Sequence, residues 1–439
     1  MRIRKSLIII LVLAMAVSLL AACTGSESTT RTTNGSDTTN SQSSSDLSGD
    51  LDVMLWLPEA PELLEDQIEM FEEAYPDIKV NLQMMTGNGI VENLQPRLAA
   101  GNLPDMFSTD PMAFTFDLAD KGVLADIGDT RAFQDMLPSL QAAWTSPGGN
   151  KFGVGAGVAT QFIYYNNDIF ESVGITDLPQ NWDELMAVCE QLIEADVTPF
   201  VWFGGSQNLL TIGPFSMSIG NKVLENDPNL IDDLANTQYN YGTQDWISVF
   251  EQLKYVADKG YVNDGFMSTD FADGMKLFSD GDVAMLLQGS WVAATILDEV
   301  EFDCGIMLPP WNDKGKELVP QVATETGFSI ANNDNLELSK VFFDFITYDT
   351  YYMYQNFFGS IPPFENPVGQ INIDPKVEAI ASELNNYSLT LPFSANIIPD
   401  PVHEVVGKFI QNIYLGTSSP SDAGEVLNEV QANFINSKR

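Results

Sequence analysis

The chain has 439 residues, with 61 acidic and 20 basic side chains, one histidine and a formal net charge of −41. A charge of that size repels nucleic acid and anionic lipid, which excludes both as natural partners and weighs against a polyanionic ligand. Hydrophobic residues make up 44% of the chain, enough for a large core, and the length suggests two or three domains.

The first element is a leader. Arg2, Arg4 and Lys5 form a basic start, and Leu7 to Leu20 is apolar apart from Ser18. About 14 residues suit a signal segment and fall short of the roughly 20 that a membrane span needs. Leu20-Ala21-Ala22-Cys23 then reads as a bacterial lipoprotein signal, in which Cys23 becomes the lipidated first residue of the mature protein. The other reading is an uncleaved anchor with an incidental cysteine. Loss of residues 1–22 removes three basic side chains and no acidic one, so the net charge falls to −44. Residues 23–49 are nearly all small and polar, with Leu47 the only large apolar side chain. Such a stretch buries too little surface to offset its ordering entropy, and it is expected to be a disordered tether reaching roughly 25–30 Å.

From Leu51 the pattern alternates between two periods. Leu51 to Leu57 is a strand candidate, and Pro61 to Tyr75 carries Leu63, Leu64, Ile68, Phe71 and Ala74 near helical spacing. Asp77 to Met85 alternates with a period of two, Ile90 to Ala100 reads as helix and Asp105 to Ser108 as a short strand. Asn181 starts another helix, with Glu184 placed to reach back to the cap amide and Trp182 placed to pack. Ile247 to Lys259 and Leu336 to Tyr348 are further helices. Strands alternating with helices imply an α/β fold with a largely parallel sheet. Cys189 falls in a helical stretch and Cys304 in a strand-like one. A bridge between them cannot be deduced from sequence, and two buried thiols are the simpler expectation. No Cys/His cluster has zinc-ligand spacing, so no metal or cofactor is expected. The glycines at 153, 155 and 157 lack a Walker lysine and a strand–GxGxxG–helix unit, so a nucleotide site is not expected.

Several motifs stand in order behind the leader. They are Ala74-Tyr75-Pro76-Asp77-Ile78-Lys79-Val80, Ala100-Gly101-Asn102-Leu103-Pro104-Asp105 and Lys121-Gly122-Val123-Leu124-Ala125-Asp126. Ile163 to Phe170, Leu178 to Leu185, Asp258-Lys259-Gly260-Tyr261 and Gly289-Ser290-Trp291 follow. The chain from 51 to about 435 resembles the family 1 extracellular solute-binding proteins of ATP-binding-cassette sugar importers, relatives of the maltose-binding proteins. The resemblance implies two α/β lobes joined by hinge strands, with ligand between them. It implies crossings near Gly157, near Pro310 to Lys316 and after Gly359. One lobe would be 50–157 plus 317–360 and the other 158–316 plus 361–439. Gly153, Gly155 and Gly157 suit hinge rotation, although glycines after a strand also make simple turns.

Sugar recognition needs flat aromatic faces for the C–H surface of a pyranose, and carboxylates and amides for its hydroxyls. In the family the Trp of Gly-Ser-Trp commonly lines the cleft, which points to Trp291, with glycine before it allowing close approach of backbone to ligand. Asp110 follows a short strand at its carboxyl end, where open α/β sheets bind ligands, and a helix-capping role is the other reading. Trp56 and Glu59 follow the first strand in the same sense, and Trp56 reads equally as core. Trp202, Gln207 and Asn208 lie in a loop-like stretch where relatives contribute contacts. Gln161 follows the first crossing, and Glu325 precedes Thr326-Gly327 in a segment able to face the cleft. His403 reads as structural. Residues 201–245 depart from the family pattern, and Trp311 has no role assigned by it.

The expected function is capture of a neutral sugar or oligosaccharide by lobe closure, and delivery to a membrane permease. The protein would be a monomer, lipid-anchored at the outer face of the cell membrane, with no catalytic residues. A sensor subunit presenting sugar to a receptor is the alternative, and a secreted glycoside hydrolase with paired carboxylates is a third.

Overall fold

In the computed structural model, residues 47–437 are described apart from 58–60, 86–89, 228, 236–238 and 385. The signal segment, Cys23, most of the tether and Glu59 lie outside the described residues.

Eleven strands occur among the described residues. In chain order they are β1 Gly49–Leu55, β2 Ile78–Met84, β3 Met106–Thr109, β4 Val154–Gly155, β5 Val158–Ala159 and β6 Gln161–Asn166. There follow β7 Thr198–Val201, β8 Val283–Gly289, β9 Cys304–Met307, β10 Ala323–Thr324 and β11 Gly327–Ile330. They form a five-stranded sheet in the order β2-β1-β3-β11-β4, a four-stranded sheet β7-β8-β6-β9 and a two-stranded ribbon β10-β5. The fold is mixed α/β, but the sheets are less parallel than strand–helix alternation implies. β1 pairs in parallel with β2 and β3, and β7 with β8, whereas β11 runs antiparallel to β3 and β4, and β6 to β8 and β9. The parallel β1–β2 pair comes from a local β–helix–β run, whereas β7 and β8 pair across a long helical insertion, residues 202–282. The antiparallel ones come from strands that enter a sheet after the chain has crossed over, which no local pattern encodes.

Local sequence explains the regular part. Helix Pro61–Ala74 buries Leu63, Leu64, Gln67 and Phe71 on one face, and the 100°-wide stripe holds it against the first sheet. Asn181 caps helix Trp182–Glu194 by accepting from the Glu184 amide. The Glu184 carboxylate accepts from the Gln180 amide at 2.9 Å, one residue earlier than the reciprocal capping pattern places it. Trp182 packs edge-on to Trp311, with ring centres 5.2 Å apart. Trp311 is 2% exposed and donates to Ser218 Oγ, so it belongs to the core. Cys189 and Cys304 are both buried and free.

Buried apolar side chains separate in the same way as the sheets. One cluster draws on residues 51–158 and 328–364. A larger one draws on 163–319 and 391–427, and a third on 162–308 and 377–384, covering the two faces of the second sheet. Among the described residues no helix is long and apolar enough to cross a membrane.

Three segments run between these cores side by side. β5 pairs with β10, Ala159 opposite Ala323 and Val158 opposite Thr324. The Val158 amide donates to the Ile361 carbonyl at 2.8 Å, so residues near 157–160, 321–326 and 359–361 lie together. The glycines of the first crossing provide close packing. A Cβ at Gly155 would meet Thr324 Oγ1 at 1.9 Å, and one at Gly157 would meet the Glu325 carboxylate at 2.7 Å.

Candidate functional site

The carboxyl ends of the strands carry most of the residues singled out in the sequence. Trp56 follows β1 and is half-buried, with its amide donating to Ser108 Oγ on neighbouring β3 at 2.8 Å. Asp110 follows β3 directly. It does not cap the next helix, whose N-cap is Met112 with Thr115 closing the turn. Instead its carboxyl group meets the Thr326 hydroxyl. Burial pushes the Asp110 carboxyl up to about 6, and the Thr326 hydrogen bond partly opposes this.

On the second sheet, Gln161 opens β6 opposite Gly289, the last residue of β8. Trp291 lies two residues further, on a short turn Ser290–Val292. Its indole folds back over Gly289, where a Cβ would stand 2.1 Å from Cζ3. The glycine therefore makes room for the tryptophan ring. Trp291 is half-exposed, and Phe393 packs edge-on to it at 6.0 Å. Three residues beyond, Asn396 Nδ2 donates to the Pro111 carbonyl at 3.4 Å. That bond joins the segment beside Trp291 to the residue following Asp110, so the ends of the two sheets face one another.

Trp202 follows β7 and is 6% exposed, with its Nε1 buried and unpaired. With Gln161, Gln288, Ile212, Leu287 and Trp311 it lines a cavity of about 20 Å³, room for about one water-sized oxygen. The Gln288 Nε2 is likewise buried and unpaired. Gln207 and Asn208 are exposed on the short helix Gln207–Leu210. Gln207 is turned to helix Asp400–Tyr414, where its Nε2 donates to Gln411 Oε1 at 3.0 Å. The structure thus groups Trp56, Asp110 and Glu325 on one side, and Gln161, Trp202 and Trp291 on the other. No contact described above brings Gln207 or Asn208 to either group.

Glu325 is 7% exposed. One carboxyl oxygen accepts from Tyr354 Oη at 3.0 Å, and the other, Oε1, is buried with no hydrogen bond. Burial pushes the group up to about 7, against the lowering influence of Ser360 and Tyr354. Ser360 Oγ is also buried outside hydrogen-bond geometry, so its influence reflects nearness to the carboxyl group. Tyr354, Phe393, Asn396 and Gln288 escaped the sequence reading. Tyr354 carries an aromatic signal, but nothing local separates it from Tyr351, Tyr352 and Phe358 on the same helix. His403 is half-buried, with Nε2 3.2 Å from Ser394 Oγ. Among the described residues no group of three or more His, Cys, Asp or Glu is arranged to hold a metal ion.

Residues 57–353 match the sequence profile of the family described as bacterial extracellular solute-binding protein. The chain belongs to that family. A Brucella abortus (strain 2308) protein named as a binding protein is 22% identical to this solute-binding protein over 382 residues, 81% of this chain and 85% of its own. The melibiose/raffinose/stachyose-binding protein MelE of Bacillus subtilis (strain 168) is 24% identical over 224 residues, 50% of each chain. Among solved structures, a chitin oligosaccharide binding protein superposes with a TM-score of 0.77 at 21% identity, covering 88% of this chain and 98% of that one. The fold is therefore that of the two-lobed solute-binding proteins.

Proposed function

We propose that the protein is an extracytoplasmic, monomeric carbohydrate-binding lipoprotein. It captures a neutral sugar or oligosaccharide between its lobes and hands it to the permease of an ATP-binding-cassette importer. The observation that carries this reading is Trp291, a half-buried indole seated on Gly289 and packed against Phe393, three residues from the Asn396 that bonds the Pro111 carbonyl beside Asp110. An aromatic platform opposed by a carboxyl group suits a pyranose, whose faces are apolar and whose rim is hydroxylic. The sugars named for MelE and for the chitin oligosaccharide binding protein support the same class.

The lobes in this reading are 50–157 with 327–360, and 158–320 with 361–439. The second crossing is placed at 321–326 rather than at 310–316, because Trp311 and Val319 pack in the larger core of the second body. Cys23 carries the lipid that keeps captured sugar near the membrane, and Cys23→Ala should release the protein from the membrane fraction with its sugar affinity intact. Ligand that binds the native state raises stability, by about 2.7 kcal/mol at a hundred times Kd. A thermal-shift panel of mono- and oligosaccharides, with melibiose, raffinose and stachyose included, should therefore give at least one clear rise. A flat response across the panel would overturn sugar capture. The reading includes no chemistry, so labelled oligosaccharides should be recovered intact, and released product would favour a hydrolase.

A further inference from the structure

Glu325 stands where all three crossings meet. It directly follows β10 in the second crossing, and its amide donates to the Gly157 carbonyl of the first at 2.9 Å. Its carboxylate lies so close to Gly157 that any Cβ there would stand 2.7 Å away. Tyr354 and Ser360, which flank Gly359 at the start of the third crossing, meet the same carboxyl group. One oxygen has a donor and the other has none. A carboxylate so buried, with a single donor and no cationic partner among the described residues, bears an uncompensated charge, whereas a carboxylic acid does not.

We propose that Glu325 is a proton-binding site at the hinge, holding its proton while the third crossing, with Tyr354 and Ser360, is packed against it as seen here and losing it when that packing opens. The site rests on the solute-binding reading for its use but not for its existence. The contact between Asn396 and Pro111 marks the present arrangement as one with the lobes together, so the proton favours the ligand-holding form. Rising pH then loosens the grip on sugar. The titratable groups around Glu325 are Tyr351 and Tyr354 on helix Tyr351–Phe358, Tyr164 on β6, and Asp110, reached through Thr326. None supplies a positive charge. Burial pushes Tyr164 and Tyr351 well above the usual tyrosine value, so both stay neutral at physiological pH, and Asp110 adds a second acid.

The raised value near 7 sets the window. A group whose folded value exceeds its unfolded one stabilises the fold fully below the unfolded value, and loses that contribution as pH rises through the folded value. The test therefore compares thermal unfolding of the sugar-free protein with that of Glu325→Gln from pH 4.5 to 8.5. Wild type should lose several degrees relative to the variant across this range, and the difference cancels the titrations of Asp110 and His403. Parallel curves would overturn the proposal. Should Glu325→Gln fail to fold, Tyr354→Phe removes the one donor to the carboxylate and should move the wild-type midpoint to higher pH, and an unmoved midpoint would overturn it. With raffinose as probe, wild-type affinity should weaken about tenfold between pH 6 and 8, if the parted hinge restores an ordinary carboxyl value. A pH-independent wild-type affinity would overturn the link to grip. If raffinose does not bind, the choice of sugar fails while the unfolding comparison still decides the proton site.

Discussion

Alanine at Gly289 should displace Trp291 without disturbing the chain that carries it. Gly289 has φ −73° and ψ 167°, an extended conformation open to any residue, so alanine adds no backbone strain. The obstacle is the indole, because the new Cβ would stand 2.1, 2.2 and 2.3 Å from three of its ring carbons. Carbon atoms pack at roughly 3.5–4.0 Å, so the ring must move by about 1.5 Å. Trp291 is half-exposed and can swing outward, which holds the stability cost to the low end of the about 1–3 kcal/mol that overpacking brings. For sugar the consequence is larger, since a platform displaced by that distance no longer lies flat under a pyranose. We expect at least about a tenfold loss of affinity, some 1.4 kcal/mol, by calorimetric titration with a sugar that shifts the thermal panel. Trp291→Ala should show a similar loss, and the double variant should cost little more than either alone, since both remove one platform. Wild-type affinity in Gly289→Ala would refute the placement of Trp291 in the site.

Thr324→Val removes the acceptor for Trp144 Nε1, a bond of 2.9 Å to an indole that is 0% exposed. The stranded donor should cost about 1–3 kcal/mol in denaturant unfolding, and an unchanged midpoint would mean that water replaces the hydroxyl. Burial pushes His403 down to about 4, so the folded protein keeps it neutral while the unfolded chain protonates near 6.5. Its contribution is present above pH 6.5, falls away as pH drops towards 4 and is worth no more than about 3 kcal/mol. His403→Gln should flatten that acid limb in unfolding curves measured from pH 4 to 7, and an unaltered limb would exclude His403 as its source.

What could be read from the sequence was local. The helices Pro61–Ala74 and Ile90–Ala100, and the strands beside them, lie within two residues of the periodic segments, because amphipathic spacing is written into adjacent residues. The two-residue strands β4, β5 and β10 left no such trace, as their pairing partners are far along the chain. Residues 201–245 were opaque for a different reason. They contain π-helical turns at Thr211–Phe215 and Gly220–Leu224, with Gly213 in a non-helical conformation and Pro214 beside it. Neither the 3.6-residue nor the two-residue period describes such a segment. Among the candidate residues, the strand-end positions of Trp56 and Asp110 were legible because each directly follows a short periodic run. The displacement of Gln207 towards Gln411, and the approach of Phe393 to Trp291, depend on how the C-terminal segment returns, and no short motif records that.

The packing of the crossings also limits how the lobes can move. Glycines at 155 and 157 suggest loose joints, yet Thr324 and Glu325 fill the space beside them. β5 and β10 are further tied by backbone pairing, and Thr160 Oγ1 donates to the Gln321 carbonyl at 2.7 Å. Rotation within this ribbon would break those bonds and bury unpaired groups, at about 1–3 kcal/mol for each. The ribbon should therefore move as one piece, and the change in backbone angles should fall where its pairing stops, a few residues being enough to absorb it. Glu325 and Thr326 occupy one such end, between β10 and β11, with the Glu325 amide still held to Gly157 and the Asp110 carboxyl on the Thr326 hydroxyl. A turn of the backbone there changes the surroundings of two acids at once. Proton occupancy and lobe position are coupled by that geometry, because the residues that would bend are those whose carboxyl groups and partners lose water when the lobes close.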